Sequence, residues 1–222
     1  MGQKLNNKMM SGFKWMSFST VLKIISQLFF ISILARLLGP EIYGIQAIAM
    51  LIVSFVQAVS DGGIGKAIIQ AKKIKKHYYS TLFYFCLMIG ILIFITINIF
   101  SSYISLFFNV SELTDVLPVL SMVFIIRGLS VVAESITIKN MHFKPLALRN
   151  LLSYIIAHLF VGIPAAYYGF GVWSLVLIVL SNELLRTIFI LNMVSHSKSI
   201  LEFKMQGLRE ILRFGGGLTL SS

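Results

Sequence analysis

Long apolar runs separated by short polar connectors form the pattern of this chain. A hydrocarbon core about 30 Å thick needs roughly 20 apolar residues in one helix. By that length the chain predicts six membrane-spanning helices, at residues 15–38, 45–60, 79–100, 116–138, 150–168 and 172–194. A seventh apolar run starts at Phe214 and continues to Ser222. Because the connectors are short, we expect neighbouring spans to lie antiparallel and to pack as a bundle.

Residues 33–70 indicate how the first two spans are joined. Gly39 and Pro40 follow the first apolar run, and neither residue continues a helix without cost. We therefore expect the first helix to end there, a turn to run through residues 41–44, and the second helix to follow. The segment predicts a membrane hairpin with glycine hinges.

Composition supports a membrane protein. Hydrophobic residues make up 57% of the chain, mean hydropathy is +0.88, and charged residues make up 12%, about half the share of a soluble domain. The net charge is +11, but the charged residues lie mostly between the apolar runs. This position indicates that they set the orientation of the spans, and we expect no nucleic-acid partner. The one cysteine, Cys86, lies in an apolar run, so we expect neither a disulfide framework nor a metal site. The sequence predicts no cofactor.

Basic residues are distributed unequally between the connectors. Fifteen of the nineteen lysines and arginines fall on one predicted side of the membrane. They are Lys4, Lys8, Lys14, Lys66, Lys72, Lys73, Lys75, Lys76, Lys139, Lys144, Arg149, Lys198, Lys204, Arg209 and Arg213. Since cytoplasmic loops carry the excess of basic residues, the N-terminal tail (1–14) and the linker 195–213 are predicted to be cytoplasmic.

Three basic residues lie inside predicted spans: Lys23, Arg127 and Arg186. Each costs about 2.5 to 3.5 kcal/mol on insertion scales, so each is a functional candidate. Lys23 lies roughly 12 Å from the cytoplasmic start of its span, a distance that a lysine side chain largely covers. Arg127 lies near the midplane, where its side chain cannot reach water in this way, and it is the strongest candidate.

Polar residues in four spans recur at helical spacing and must face inward in lipid. The stripes are Ser19, Lys23, Ser26 and Gln27; Ser54, Gln57 and Asp61; Arg127, Ser130 and Glu134; and Asn182, Glu183 and Arg186. They predict a polar cavity whose substrate-binding residues are Arg127, Lys23, Arg186, Glu134, Asp61 and Glu183. Structural ion pairs, Arg127 with Glu134 and Glu183 with Arg186, are the alternative. His158 is more typical of a hydrogen-bonded packing residue than of a proton carrier.

The chain resembles the bacterial polysaccharide biosynthesis and export flippases, of the Wzx and teichuronic or colanic acid type, in the MOP superfamily. The resemblance is carried by residues 35–44 (ARLLGPEIYG), 60–65 (SDGGIG), 67–70 (AIIQ), 139–144 (KNMHFK), 169–175 (GFGVWSL) and 208–215 (LREILRFG). These blocks follow one another in the family's order over nearly the whole chain. Gly216 and Gly217 stand where the family tends to have a proline.

The resemblance implies an all-α integral membrane fold, in which this chain is the six-helix N-terminal lobe of a transporter with twelve or more helices. Residues 15–194 form that lobe, and 214–222 begin a truncated seventh span. The implied substrate is an undecaprenyl-pyrophosphate-linked oligosaccharide, flipped across the bacterial cytoplasmic membrane by alternating access. Membrane lipid and a missing C-terminal lobe are the implied partners, and a polysaccharide polymerase and a chain-length regulator are candidates.

Other functions remain open from the residues. A multidrug exporter on the same fold would favour acidic, cation-binding groups over a midplane arginine. A membrane-embedded polysaccharide polymerase or glycosyltransferase needs a large extramembrane loop, and the longest predicted outer loop, 101–115, is short. No catalytic constellation is recognisable, and the glycines at 62–65 lack the preceding strand of a nucleotide-binding loop. We therefore expect a transporter and no enzyme.

Overall fold

The structure, a computed structural model, describes the backbone of residues 2–60, 65, 68–69 and 76–194, and the side chains of 15–58, 65, 68–69 and 80–193. Its helices are α1 (Gly2–Leu38), α2 (Pro40–Ser60), α3 (Lys76–Phe108), α4 (Leu113–Lys139), α5 (Phe143–Ile156), α6 (Ile163–Tyr167) and α7 (Val172–Val194), and a π-helical segment (Ala157–Gly162) joins α5 to α6.

Six helical segments of the described chain are long and apolar enough to cross a membrane, and this part of the chain contains no β-strand. The predicted all-α integral membrane fold with six spans is confirmed. The N-terminal tail, expected over 1–14, is helical from Gly2 and continuous with the first span. The expected linker 195–213 and the seventh span lie outside the described residues.

Helix α4 is the centre of the bundle. More than half of its span is buried, whereas less than a quarter of the span is buried in each of α1, α2 and α3, as expected of helices that face lipid. Apolar side chains along its first half, including Leu117 and Leu120, pack with Ala49 of α2 and Val176 of α7. Helix α3 runs antiparallel along α4 in the most extensive helix contact of the described residues. The hydroxyl side chains along α4 are therefore held inside the bundle: Ser121, Ser130, Ser135 and Thr137 are all buried.

Two helix pairs are parallel. Trp15 and Phe30 of α1 contact Lys144 and Tyr154, which follow each other in the same order along α5. Similarly, the Leu117 end of α4 packs against the start of α7, and Thr187 near the other end of α7 donates a hydrogen bond to the Ile126 carbonyl at 3.4 Å. Parallel neighbours enter from the same side, as the predicted alternation of spans requires.

The first hairpin is tighter than the sequence suggested. Helix α1 ends at Leu38, and Gly39 alone, with φ of +78°, separates it from α2, which begins at Pro40. The expected turn through residues 41–44 is therefore wrong, since those residues are helical. The physical reason is that Gly39 adopts the left-handed conformation that ends a helix, whereas a proline in the first helical position lacks only an N–H that would be unpaired anyway.

The outer loop between α3 and α4 is also shorter than expected. Helix α3 continues to Phe108 and α4 begins at Leu113, so the predicted loop 101–115 shrinks to residues 109–112. The hydroxyl of Ser101 donates to the Asn98 carbonyl at 3.0 Å, and that of Ser105 donates to the Val110 carbonyl at 2.7 Å. Because the hydroxyls find backbone partners, the helix accommodates them.

Candidate functional site

A cavity of about 250 Å³ lies between α2, α3 and α4. Among the described residues, Arg127 and Glu134 of α4 give its wall charge, and Gln57 and Ser135 add polar groups. Arg127 and Glu134 are seven residues apart, which places both on one face of α4. The structure thus places three of the predicted stripe residues, Gln57, Arg127 and Glu134, on the wall of one cavity.

A close helix crossing shapes this wall. Gly90 of α3 and Gly128 of α4 lie where the two backbones meet, and a Cβ at either position would clash with the opposite helix. Arg127 immediately precedes Gly128, and Cys86 and Gly90 line the cavity beside it. Small residues at the crossing therefore bring α3 against the arginine-bearing face of α4.

Glu134 connects the cavity to two arginines on other helices. Its Oε1 accepts a hydrogen bond from Nη2 of Arg149 on α5 at 3.0 Å, and Nη2 of Arg186 on α7 lies at 3.8 Å. The Arg149 side chain is 1% exposed, that of Arg186 25% and that of Glu134 31%. One carboxylate therefore joins α4, α5 and α7, and the arginine it binds most closely is fully enclosed.

Asn150 and Glu183 complete this network. Oδ1 of Asn150 accepts hydrogen bonds from Nε and Nη2 of Arg149 at 3.2 and 3.0 Å and from Nε of Arg186 at 3.2 Å. Nη1 of Arg186 donates to Oε2 of Glu183, one helical turn away, at 3.0 Å. The two arginines and two glutamates sum to zero charge. Because a buried ion costs several kcal/mol unless it is paired, this neutral arrangement is what makes the burial of Arg149 tolerable.

The predicted site residues therefore divide into groups. Arg127 and Glu134 line the cavity, whereas Glu183 and Arg186 form an ion pair with each other in the network behind Glu134. In the described residues, the ion pairs of Glu134 run to Arg149 and Arg186. Lys23 lies outside the cavity lining: it is exposed on α1, and its Nζ lies 5.5 Å from the centre of the Tyr154 ring. Asp61 lies outside the described residues.

Arg149 and Asn150 are the residues that sequence reasoning missed. Arg149 was predicted to lie in a cytoplasmic connector, and this is wrong, because it is 2% exposed within α5. The signal was present: Pro145 is typical of a first helical turn, and Arg149, Asn150 and Ser153 follow at the spacing of one helix face.

His158 lies in an aromatic cluster between α1 and the π-helical segment. Its ring stacks on Phe30 with the ring centres 5.2 Å apart, and lies 3.9 Å from the centre of the Tyr154 ring. Its Nδ1 is 2.8 Å from the Tyr154 carbonyl oxygen. These contacts are those of a packing residue. Within the described residues, no three His, Cys, Asp or Glu side chains are grouped to hold a metal ion.

The sequence of this chain matches a known protein family and several curated proteins. The family described as "Polysaccharide biosynthesis protein" matches residues 33–222. The lipopolysaccharide biosynthesis protein WzxC of Escherichia coli strain K12 is 27% identical over 68% of this chain and 36% of its own length. The succinoglycan biosynthesis transport protein ExoT of Rhizobium meliloti strain 1021 is 24% identical over 85% of this chain and 38% of its own.

The teichuronic acid biosynthesis protein TuaB of Bacillus subtilis strain 168 is 26% identical over 69% of this chain and 32% of its own. The chain thus spans about a third of the length of the curated relatives it matches. No solved structure matches the chain.

Proposed function

The chain belongs to the polysaccharide biosynthesis protein family, and on that premise we propose that the full protein flips lipid-linked oligosaccharides across a membrane. The substrate is an undecaprenyl-pyrophosphate-linked repeat unit of an O-antigen, capsule or exopolysaccharide. Transport proceeds by alternating access, with this six-helix lobe moving against a C-terminal lobe. The names of the relatives, which concern lipopolysaccharide, succinoglycan and teichuronic acid, support this substrate class.

The observation that carries the proposal is the placement of Arg127. It lines the cavity and lies near the middle of α4, a position at which an ionised side chain is costly in a membrane-spanning helix. A pyrophosphate group needs a cationic partner in such surroundings, and a guanidinium offers paired donors that match phosphate oxygens. Arg127 is therefore proposed to bind the pyrophosphate as it crosses. Lys23 is exposed on α1 outside this cavity, and it is proposed as a separate contact of the substrate.

The location follows from the basic residues. The multi-pass protein is proposed to lie in the bacterial cytoplasmic membrane with its N-terminus in the cytoplasm, because the connectors on that side hold most of the lysines and arginines. Enzymes that make and polymerise the sugar chain would then supply and consume the substrate. A polysaccharide polymerase and a chain-length regulator are the proposed protein partners.

Two other functions fit the geometry less well. A multidrug exporter would use an acidic group to bind a cationic drug, but the one acidic residue among the described lining residues, Glu134, is already bound by Arg149. A polymerase or glycosyltransferase would need an outer loop large enough to hold an acceptor, and the loop between α3 and α4 has only residues 109–112. Transport without covalent chemistry is the function that we propose.

The test is export by Arg127 variants of the full-length protein. In a strain that lacks its own flippase for the same repeat unit, Arg127→Ala should abolish surface polysaccharide while the protein stays in the membrane at normal amounts. Arg127→Lys should retain part of the export, because it keeps the charge. Arg36→Ala is the matched control, since Arg36 is exposed at the far end of α1. Export by Arg127→Ala at the level of this control would refute the cavity role.

A further inference from the structure

We propose that helices α5 and α7 enclose a bound water molecule, held by the side chains of Arg149, Ser153 and Asn182. The atoms concerned are Nη1 of Arg149, Oγ of Ser153 and Oδ1 of Asn182. Each of them is buried, and none has a hydrogen-bond partner among the described residues. Because nearly all buried polar atoms in folded proteins are paired with protein or with ordered water, these three require a partner.

The first step is the burial of these side chains. Arg149 is 2% exposed and Ser153 is fully buried. Asn182 is partly exposed, but its Oδ1 atom is buried. Neither lipid nor bulk solvent reaches the three atoms, so the partner must be a small molecule enclosed within the bundle.

The second step is the face of α5 on which two of these residues lie. Leu146 packs with Ile190 of α7. Ser153 is seven residues further along α5 than Leu146, and it therefore lies on the same face. Arg149 lies between them, four residues before Ser153, and its Nη2 donates to Glu134 of α4 at 3.0 Å. Arg149 and Ser153 thus lie one above the other on the side of α5 that meets α4 and α7.

The third step is the register of α7 against α5. One turn beyond their first contact the two helices meet again, where Nε of Arg186 donates to Oδ1 of Asn150 at 3.2 Å. Because successive contacts pair a later residue of α5 with an earlier residue of α7, the helices are antiparallel. The next turn brings Asn182 to the level of Ser153. Asn182 and Ser153 therefore lie at one level, about one helical turn from Arg149.

The fourth step is the chemistry of the three atoms. A guanidinium nitrogen only donates hydrogen bonds, an amide oxygen only accepts them, and a hydroxyl group does both. The positive charge of Arg149 opposes a metal cation at this point, and the acceptor oxygen of Asn182 opposes an anion. A water molecule accepts from Nη1 of Arg149, donates to Oδ1 of Asn182 and forms its third hydrogen bond with Oγ of Ser153. Three hydrogen bonds are the usual number for a buried water molecule.

The bound water completes the charged network. Asn150 and Arg186 already join α5 to α7, and the water adds a second link one turn further along both helices. It also gives the guanidinium of Arg149 a partner on Nη1, since Glu134 and Asn150 bind the other two nitrogens. The inference is independent of the proposed function, because it concerns atoms enclosed between helices of the described lobe.

The direct test is a structure of the full-length protein by electron cryomicroscopy, at a resolution that shows ordered water. We expect a density peak within hydrogen-bond distance of Nη1 of Arg149, Oγ of Ser153 and Oδ1 of Asn182. A map that shows other buried waters but no peak at this position overturns the inference. A direct hydrogen bond between two of the three side chains, with no peak between them, also overturns it.

Thermal unfolding of two variants of nearly equal volume gives an independent test. Ser153→Thr keeps the hydroxyl that binds the water, whereas Ser153→Val replaces it with a methyl group, so the Val variant should melt about 5 °C lower. The matched control is the same pair of substitutions at Ser32, which is exposed on α1 and whose hydroxyl donates to the Leu28 carbonyl at 2.8 Å. There the Thr and Val variants should melt within about 2 °C of each other. If the hydroxyl of Ser153 bound no water, its loss would cost nothing; a Ser153→Val protein that melts at or above the temperature of Ser153→Thr therefore overturns the inference.

Discussion

A Cβ atom on Gly128 would lie 2.9 Å from the carbonyl oxygen of Cys86, closer than such atoms approach in folded proteins. The relationship is reciprocal, since a Cβ on Gly90 would clash with the Phe124 carbonyl on α4. Helices α3 and α4 therefore touch backbone to backbone at the level of the cavity. In lipid, where no hydrophobic force drives helices together, such close packing is a main source of their association.

Replacing Gly128 by Ala is expected to push α3 and α4 apart. The overpacked crossing should lower the free energy of unfolding by about 1 to 3 kcal/mol. Thermal unfolding in detergent measures the change. Gly44→Ala is the matched control, because a Cβ at that exposed helical position meets no atom within 4 Å. Equal melting temperatures for the two variants would contradict the close crossing.

Asn150→Ala is expected to weaken the charged network. The asparagine oxygen accepts three hydrogen bonds from Arg149 and Arg186, and its removal leaves buried guanidinium donors unpaired. The cost should be about 1 to 3 kcal/mol of unfolding free energy. Chemical unfolding in mixed micelles measures it, with the exposed Asn140→Ala as control. An Asn150→Ala protein as stable as the control would show that the network contributes nothing to stability.

His158→Phe is expected to leave export unchanged. A phenyl ring can fill the place of the imidazole between Phe30 and Tyr154, and the substitution nearly conserves volume. His158→Ala, in contrast, empties the stack and should cost about 2 to 4 kcal/mol of stability. Surface polysaccharide and membrane protein levels are measured together. A His158→Phe protein that is present at normal levels but inactive would contradict the packing role and indicate proton transfer.

The spans and the family could be predicted from the sequence, whereas the charged network could not. The length and hydropathy of the apolar runs predict six spans with almost no reference to tertiary contacts, and the structure confirms them. The resemblance to polysaccharide flippases, carried by motifs such as residues 35–44 and 169–175, is confirmed by the family match over residues 33–222. These features are local in the sequence.

The partners of Glu134 depend on contacts between distant segments. On one helix, residues seven apart share a face, which is why Arg127 was the partner of Glu134 in the alternative interpretation as a structural pair. The closer partner, Arg149, lies on α5, and it fell just outside the predicted span 150–168 because the helix begins with a polar stretch that includes Lys144 and Arg149. The predicted helix boundaries were wrong at residues 41–44 and 101–115 for a related reason. Polar residues and a glycine indicated connectors there, but all of these residues except 109–112 lie within helices. Whether Lys23, Asp61, Glu183 and Arg186 contact substrate stays a prediction.

The orientation of the lobe can be tested with cysteine labelling. Ser111 lies in the short loop between α3 and α4 beside Glu112 and Asp115, whereas Asn140 lies between the basic residues Lys139 and Lys144. Because basic connectors stay in the cytoplasm, a membrane-impermeant maleimide should label Ser111→Cys in intact cells. It should label Asn140→Cys only after the cells are permeabilised. Both variants are made in a full-length protein without other cysteines, in which Cys86 is replaced by Ala. If Asn140→Cys were labelled in intact cells and Ser111→Cys were not, the lobe would have the opposite orientation, with its N-terminus outside the cell.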